Sequence, residues 1–139
     1  MILCDASPLI ALVVPNQREQ HLLCATTLAK MRETLITTWA CFGEAMHLVG
    51  AKRRFDRQLV LWEYVDRGIL EIHELTGQDI QRTQALMRQY SSTPMDLGDA
   101  TLVVAAETLG IHRVFTLDPD FYVYQIHGKT PFEVIPSLR

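Results

Sequence analysis

The first nine residues, MILCDASPL (Met1–Leu9), set the fold class of this 139-residue chain. The stretch opens on an apolar run that is typical of a short buried strand, and Asp5 closes that run. Ser7 followed by Pro8 predicts a helix start, because serine is a favoured N-cap and proline fits the first helical position. A strand that leads directly into a helix is the repeating unit of α/β proteins.

The same alternation continues along the chain. Further strands are predicted at 35–38, 69–75, 113–117 and 132–135, and further helices at 17–33, 39–51, 55–67, 78–90 and after Asp96 as far as Gly110. In the helix at 55–67, Leu59, Trp62 and Val65 form the predicted inner stripe. The strand at 69–75 alternates apolar and polar residues and is expected near an edge. This order favours a three-layer α/β/α sandwich with a central, mainly parallel sheet of four to five strands.

Composition indicates a single domain over residues 1–139, since 48 % hydrophobic and 21 % charged residues are ordinary for a soluble protein. No apolar run approaches the roughly 18 residues of a membrane helix, so no membrane association is expected. Three cysteines without CxxC spacing are read as buried free thiols, which predicts a cytoplasmic location. The net charge of −3 excludes a chain that is basic throughout, so any RNA contact requires a local patch.

Four carboxylates lie beside sequence that is expected to form the core. Asp5 ends the first strand, Asp118 follows the fourth, Asp99 opens an almost wholly apolar helix and Glu44 lies in the helix at 39–51. Sites in parallel sheets gather beyond the carboxyl ends of the strands, so these side chains are expected to converge. Carboxylates are rarely buried unless they are paired or bound to a metal.

A cluster of this kind favours a divalent cation. Each pair of like charges at ~4 Å costs roughly 1 kcal/mol in water and ~4 kcal/mol at an effective dielectric of 20. Mg²⁺ or Mn²⁺ relieves the repulsion, because both ions take oxygen ligands. Such ions activate water and polarise phosphoryl oxygens, so the implied chemistry is phosphodiester hydrolysis.

Three assignments within this set stay open on the sequence alone. Asp96 is either a metal ligand or only the helix N-cap that accepts the Asp99 backbone N–H, and the cap is the favoured interpretation. Asp118 and Asp120 compete for the fourth place, with Asp118 preferred because it lies closer to the strand end. Taken alone, Glu44 would be read as a surface carboxylate on an amphipathic helix.

Four segments in order along the chain resemble the PIN-domain pattern. They are ILCDASPL at 2–9, FGEA at 42–45, MDLGDA at 95–100 and FTLDPDF at 115–121. PIN domains, which include VapC-type toxins, are metal-dependent ribonucleases with a parallel sheet between helices. The resemblance implies that the four carboxylates form an acidic quartet, with Ser7 and Thr116 as hydrogen-bonding supports. It further implies a homodimer and a small antitoxin partner whose peptide fills the acidic groove.

Contacts to RNA are harder to place. The densest basic run, Lys52, Arg53 and Arg54, either steers a phosphate backbone or is simply a solvated helix entry. The aromatic residues Phe121, Tyr122 and Tyr124 are expected to cover the core beside the last strand, the alternative being base stacking.

Two functions are therefore considered. The first is a Mg²⁺- or Mn²⁺-dependent endoribonuclease that is the toxin of a toxin–antitoxin pair. The second is a catalytically silent PIN-fold module that acts through protein or RNA binding. An intact quartet favours the first.

Overall fold

The centre of the molecule is a parallel sheet. The computed structural model describes the backbone of residues 1–139 and every side chain except that of Lys52. The sheet strands are β1 (Ile2–Cys4), β2 (Leu35–Thr38), β3 (Leu70–His73), β4 (Arg113–Phe115) and β7 (Glu133–Ile135), and β5 (Gln125–Ile126) pairs separately with β6 (Thr130–Pro131). The helices are α1 (Ala6–Val13), α2 (Arg18–Lys30), α3 (Trp39–Val49), α4 (Phe55–Asp66), α5 (Gly77–Gln89) and α6 (Leu97–Leu109).

The strand order is β3-β2-β1-β4-β7, and all four strand pairs are parallel. Strand β1 lies in the middle, with β2 on one side and β4 on the other. The chain therefore reverses its direction of winding between β1 and β4, and ligand sites of α/β proteins lie beyond the carboxyl ends of the strands at such a switch. The predicted edge position of the third strand is confirmed, since β3 ends the sheet.

Burial explains why the central strands are so apolar. Every residue of β1 and β2 is buried, as expected when helices cover both faces of a parallel sheet. Helix α6 is buried without interruption from Gly98 to Ala106 and packs on β1 and β2. The predicted three-layer α/β architecture is confirmed, with five strands in the sheet. Among the described residues no helix has the length and apolar character needed to cross a membrane.

Two local predictions are wrong. The first helix begins at Ala6 with Asp5 as its N-cap, whose carboxylate accepts the Ala6 N–H at 2.8 Å. Ser7 lies inside the helix, and its Oγ accepts the Leu117 N–H at 3.1 Å instead. The Ser7 hydroxyl therefore bonds to a residue 110 positions away in the sequence and does not cap the helix.

The predicted inner stripe of α4 is wrong for Leu59 and Trp62, whereas Val65 is partly buried and packs against the core. Leu59 and Trp62 are 45 % and 41 % exposed, whereas Leu61 is fully buried. The helix is rotated so that Leu61 enters the core, while Trp62 lies edge-on against Phe42 with ring centroids 4.9 Å apart. By contrast, the predicted end of α6 is confirmed, because Gly110 adopts the left-handed conformation of a helix C-cap with φ of 68°.

Candidate metal centre

Three aspartates from separate parts of the chain meet at the carboxyl edge of the sheet. Asp5, Asp99 and Asp118 each present a carboxylate oxygen, and these oxygens all lie within 4.8 Å of one another. The residues come from the end of β1, the first turn of α6 and the segment after β4. The cluster lines a cavity of about 240 Å³.

Asp5 is buried and held by hydrogen bonds on both oxygens. The Ala6 N–H donates to Oδ1 at 2.8 Å, and the Thr116 hydroxyl donates to Oδ2 at 2.7 Å. Strand pairing explains the second contact, because Cys4 is in register with Phe115 and the next residues of the two strands lie side by side. Burial raises the pKa of Asp5 to about 6, although the Thr116 and Ala6 bonds oppose the rise.

Asp99 is placed by the capping box of α6. Its backbone N–H donates to Asp96 Oδ1 at 2.8 Å, and its own Oδ2 accepts the Asp96 N–H at 3.2 Å. The predicted N-cap role of Asp96 is thereby confirmed. Burial, followed by the nearby charges of Asp5 and Asp96, raises the pKa of Asp99 to about 8.

Asp118 is the third member of the cluster and lies in the segment that follows β4. Its N–H donates to Thr116 Oγ1 at 3.0 Å, and its Oδ1 accepts the Asp120 N–H at 2.9 Å, which starts the 3₁₀ turn Pro119–Tyr122. Burial, and then the charges of Asp120 and Asp96, raise the pKa of Asp118. Of the two candidates for the last acidic position, the structure brings Asp118 into the cluster; Asp120 lies outside it.

Glu44 lies at the rim of the same cavity. It is on the second turn of α3, is exposed, and does not belong to the group within 4.8 Å. Its carboxylate faces the first turn of α6, since a Cβ added at Gly98 would lie 3.5 Å from Glu44 Oε2 and 3.4 Å from Asp96 Oδ1. Partial burial, and then the charge of Asp96, raise the pKa of Glu44.

The donor set fits a divalent cation. None of the ion pairs found among the described side chains involves the three clustered aspartates. Three hard carboxylate oxygens therefore share a small, largely buried site, and no described side chain pairs a positive charge with them. Burial is the main cause of the raised pKa of each aspartate, and neighbouring negative charges add to it. Mg²⁺ and Mn²⁺ take ligands of this type.

The two supports implied by the resemblance make contacts at the cluster. Thr116, fully buried, links Asp5 to Asp118 through its single hydroxyl. Ser7 fixes the start of the segment that carries Asp118 by accepting the Leu117 N–H.

Other contacts to the cluster were not predicted. The Tyr124 hydroxyl donates to Asp99 Oδ2 at 3.2 Å, and Cys41 Sγ lies 3.4 Å from the Gly98 carbonyl and 4.0 Å from Asp5 Oδ1. Nothing in the sequence pattern distinguishes these residues, because both lie in apolar segments that are expected to be core.

The described side chains of the basic run, Arg53 and Arg54, are not part of the cavity lining. Arg53 ends the 3₁₀ turn Ala51–Arg53, and Arg54 is exposed and pairs with Asp56 at 3.4 Å. The side chain of Lys52 lies outside the described part of the structure, so its predicted RNA contact stays a prediction. A separate cavity of about 520 Å³ between the starts of α3 and α6 and helix α5 is mainly apolar and offers no such set of carboxylates.

The fold and the site together define a class: an α/β protein with an acidic cluster at the switch point of a parallel sheet. The structure is similar to that of VapC20 of Mycobacterium tuberculosis, a toxin that cleaves the sarcin–ricin loop, with 16 % identity and a TM-score of 0.82 over 94 % of this chain and 100 % of that chain. It is also similar to a chain of a toxin–antitoxin complex from Klebsiella pneumoniae, with 18 % identity and a TM-score of 0.62 over 87 % of this chain and 90 % of that chain. The chain therefore has the fold of VapC-type PIN-domain structures, as the resemblance implied.

The likeness is one of structure. No protein-family model matches the sequence. No curated protein matches it either.

Proposed function

We propose that this chain is a single PIN-like domain, residues 1–139, and a Mg²⁺- or Mn²⁺-dependent endoribonuclease. One observation carries the proposal: three buried or half-buried aspartates converge within 4.8 Å, and none of the described cationic side chains forms an ion pair with them. The fold is shared with a toxin that cleaves the sarcin–ricin loop, which supports the same conclusion.

Asp5, Asp99 and Asp118 would hold the cation. When bound, the ion supplies Lewis-acid chemistry that neutralises phosphate charge and makes water more acidic. The protein fixes the ligand oxygens in advance, since Thr116 orients Asp5 and the capping box orients Asp99. A preformed set of oxygens needs no rearrangement when the substrate arrives.

Glu44 has a different place in the proposal. It stands at the rim of the cavity, where an RNA phosphate would enter, and its raised pKa makes it a better proton acceptor than an ordinary surface carboxylate. We assign Glu44 to the attacking water, which it orients and from which it accepts a proton. Asp120 is assigned a supporting role, because its N–H holds Asp118 Oδ1.

The biological setting follows from the same comparison. We propose that the chain is the toxin of a toxin–antitoxin pair, acts on RNA in the cytoplasm and forms a homodimer, with a small antitoxin as its partner. The Klebsiella structure is a toxin–antitoxin complex, and this supports the proposal of an antitoxin partner. Arg53 and Arg54, both exposed, remain the candidates for steering the RNA backbone, together with Lys52.

Cleavage of total RNA by the purified protein tests the activity. We expect cleavage with Mn²⁺ or Mg²⁺ and none with EDTA. The variants Asp5→Asn and Asp118→Asn should lose at least roughly a hundred-fold in rate, because each removes a charged ligand. Asp120→Asn is the matched control and should retain most of the rate, since its contact to Asp118 is made by the backbone N–H.

Two results would contradict the proposal. Cleavage that persists in EDTA would remove the metal from the reaction. Equal losses in Asp118→Asn and Asp120→Asn would show that the cluster within 4.8 Å does not define the ligand set.

A further inference from the structure

Tyr124 has no place in the proposed chemistry, yet it contacts the acidic cluster. It lies between the 3₁₀ turn Pro119–Tyr122 and strand β5, and it is fully buried. Its ring is held from two sides, edge-on to Tyr90 with centroids 5.2 Å apart and edge-on to Phe121 at 5.1 Å. The base-stacking alternative is wrong for Tyr124 and Phe121, because neither ring is exposed.

The hydroxyl of Tyr124 points at Asp99. It lies 3.2 Å from Asp99 Oδ2 and 3.3 Å from the Pro94 carbonyl oxygen. A phenol has one proton to donate, and an ionised carboxylate is a stronger acceptor than a neutral carbonyl. The bond to Asp99 is therefore favoured whenever Asp99 is charged, which is the form that binds a cation.

The hydrogen bonds of Asp99 are arranged unequally between its two oxygens. Oδ2 accepts both the Tyr124 hydroxyl and the Asp96 N–H, each at 3.2 Å. Among the described residues Oδ1 accepts no hydrogen bond. Two donors thus fix one oxygen of the carboxylate and leave the other free for a cation.

We propose that Tyr124 is a positioning residue for Asp99, a role that rests on the proposed metal-dependent function. Its buried ring provides a rigid base for the hydroxyl, and the hydroxyl holds the Asp99 carboxylate in the rotamer that faces Asp5 and Asp118. Loss of an outer hydrogen-bond partner of this kind weakens metal binding by about 10- to 100-fold.

Calorimetric titration with Mn²⁺ tests the role directly. We expect Tyr124→Phe to bind Mn²⁺ about ten-fold more weakly than the parent. Tyr90→Phe is the matched control, because Tyr90 packs on the same ring and its hydroxyl accepts the Gln125 N–H at 3.1 Å without contact to a carboxylate. It should bind Mn²⁺ as the parent does.

Two further measurements separate positioning from support of the core. RNA cleavage by Tyr124→Phe should recover at high Mn²⁺ concentration, whereas a loss caused by misfolding would not recover. In an Asp99→Asn background, Tyr124→Phe should change Mn²⁺ affinity by less than about two-fold, because the residue through which it acts is altered. Thermal melts in EDTA, which should be cooperative for both tyrosine variants, check that these variants are folded.

The outcomes are distinct. Parent-like Mn²⁺ affinity in Tyr124→Phe would overturn the positioning role and leave the metal site in place. An equal loss in Tyr90→Phe and Tyr124→Phe would also overturn it, by showing that ring packing alone matters. A parent protein that binds no Mn²⁺ would instead overturn the proposed function on which the inference rests.

Discussion

Replacement of Asp99 by asparagine should stabilise the metal-free protein while removing its activity. The change keeps the shape and the acceptor oxygen that the capping box and Tyr124 use, and it removes one negative charge from the cluster. The two neighbouring carboxylates, Asp5 and Asp118, lie within 4.8 Å. Stability and activity should therefore move in opposite directions.

The magnitude follows from these distances. Two unit charges 4.8 Å apart repel by about 1 kcal/mol in water and by about 3 kcal/mol at an effective dielectric of 20. Asp99 has two such neighbours, so Asp99→Asn should raise the free energy of unfolding by at least about 2 kcal/mol at about pH 8. For a chain of this length that is roughly 6–8 °C in Tm.

The raised pKa of Asp99 fixes how the stability of the metal-free protein changes with pH. The pKa of Asp99 is raised from 3.8 to about 8, so the folded protein binds more protons than the unfolded chain between those values. The stability of the metal-free parent therefore falls as pH rises through that window, and the gain from Asp99→Asn shrinks towards zero near pH 4. The Asp5 carboxyl, with a pKa of about 6, adds a fall in the same direction.

Thermal melts in EDTA at several pH values measure the effect. Asp66→Asn is the control, because Asp66 is an exposed aspartate at the end of α4 and its replacement should change the free energy of unfolding by less than about 0.5 kcal/mol. A destabilised Asp99→Asn protein at about pH 8, or a gain that is equally large near pH 4, would refute the electrostatic reasoning.

Three further predictions concern the surroundings of the site. Thr116→Val should lower the free energy of unfolding by about 2 kcal/mol and weaken Mn²⁺ binding about ten-fold, because Asp5 loses the hydroxyl that donates to it at 2.7 Å. Denaturant melts and calorimetry measure the two effects, and an unchanged Mn²⁺ affinity would count against this prediction. Arg82→Met should lower the free energy of unfolding by about 2 kcal/mol, because it removes the guanidinium that pairs with the buried Glu107 carboxylate at 2.8 Å. A loss of less than about 0.5 kcal/mol in urea melts would contradict this prediction. Mn²⁺ at a hundred times its dissociation constant should raise the free energy of unfolding of the parent by about 3 kcal/mol. The rise should be smaller near pH 5, where protons compete with the ion for the aspartates. A rise that is independent of pH would be inconsistent with carboxylate ligands.

Most of the fold follows from sequence patterns. The apolar runs gave all five sheet strands, and the predicted ends of β2 agree with the structure. The three aspartates of the cluster were predicted to converge, because strand ends and helix starts of parallel sheets share one edge. What they do there is still a proposal.

The parts that sequence reasoning missed depend on contacts between distant segments. Asp5 and Ser7 are both good caps, and only the bond from Leu117 to Ser7 decides between them. The Tyr124 hydroxyl meets Asp99 across 25 residues, through a segment whose path no local pattern predicts. The position of Glu44 at the rim of the cavity depends on the direction in which α3 leaves the sheet edge. The hydrophobic periodicity of the sequence does not specify that direction.

The most direct test of the central claim is anomalous scattering from a crystal soaked in MnCl₂. The account predicts Mn²⁺ density between Asp5, Asp99 and Asp118, with at least one oxygen of each within about 2.3 Å of an ion. A well-occupied crystal with no anomalous peak at that edge of the sheet, or with the three carboxylates turned away from one another, would contradict it.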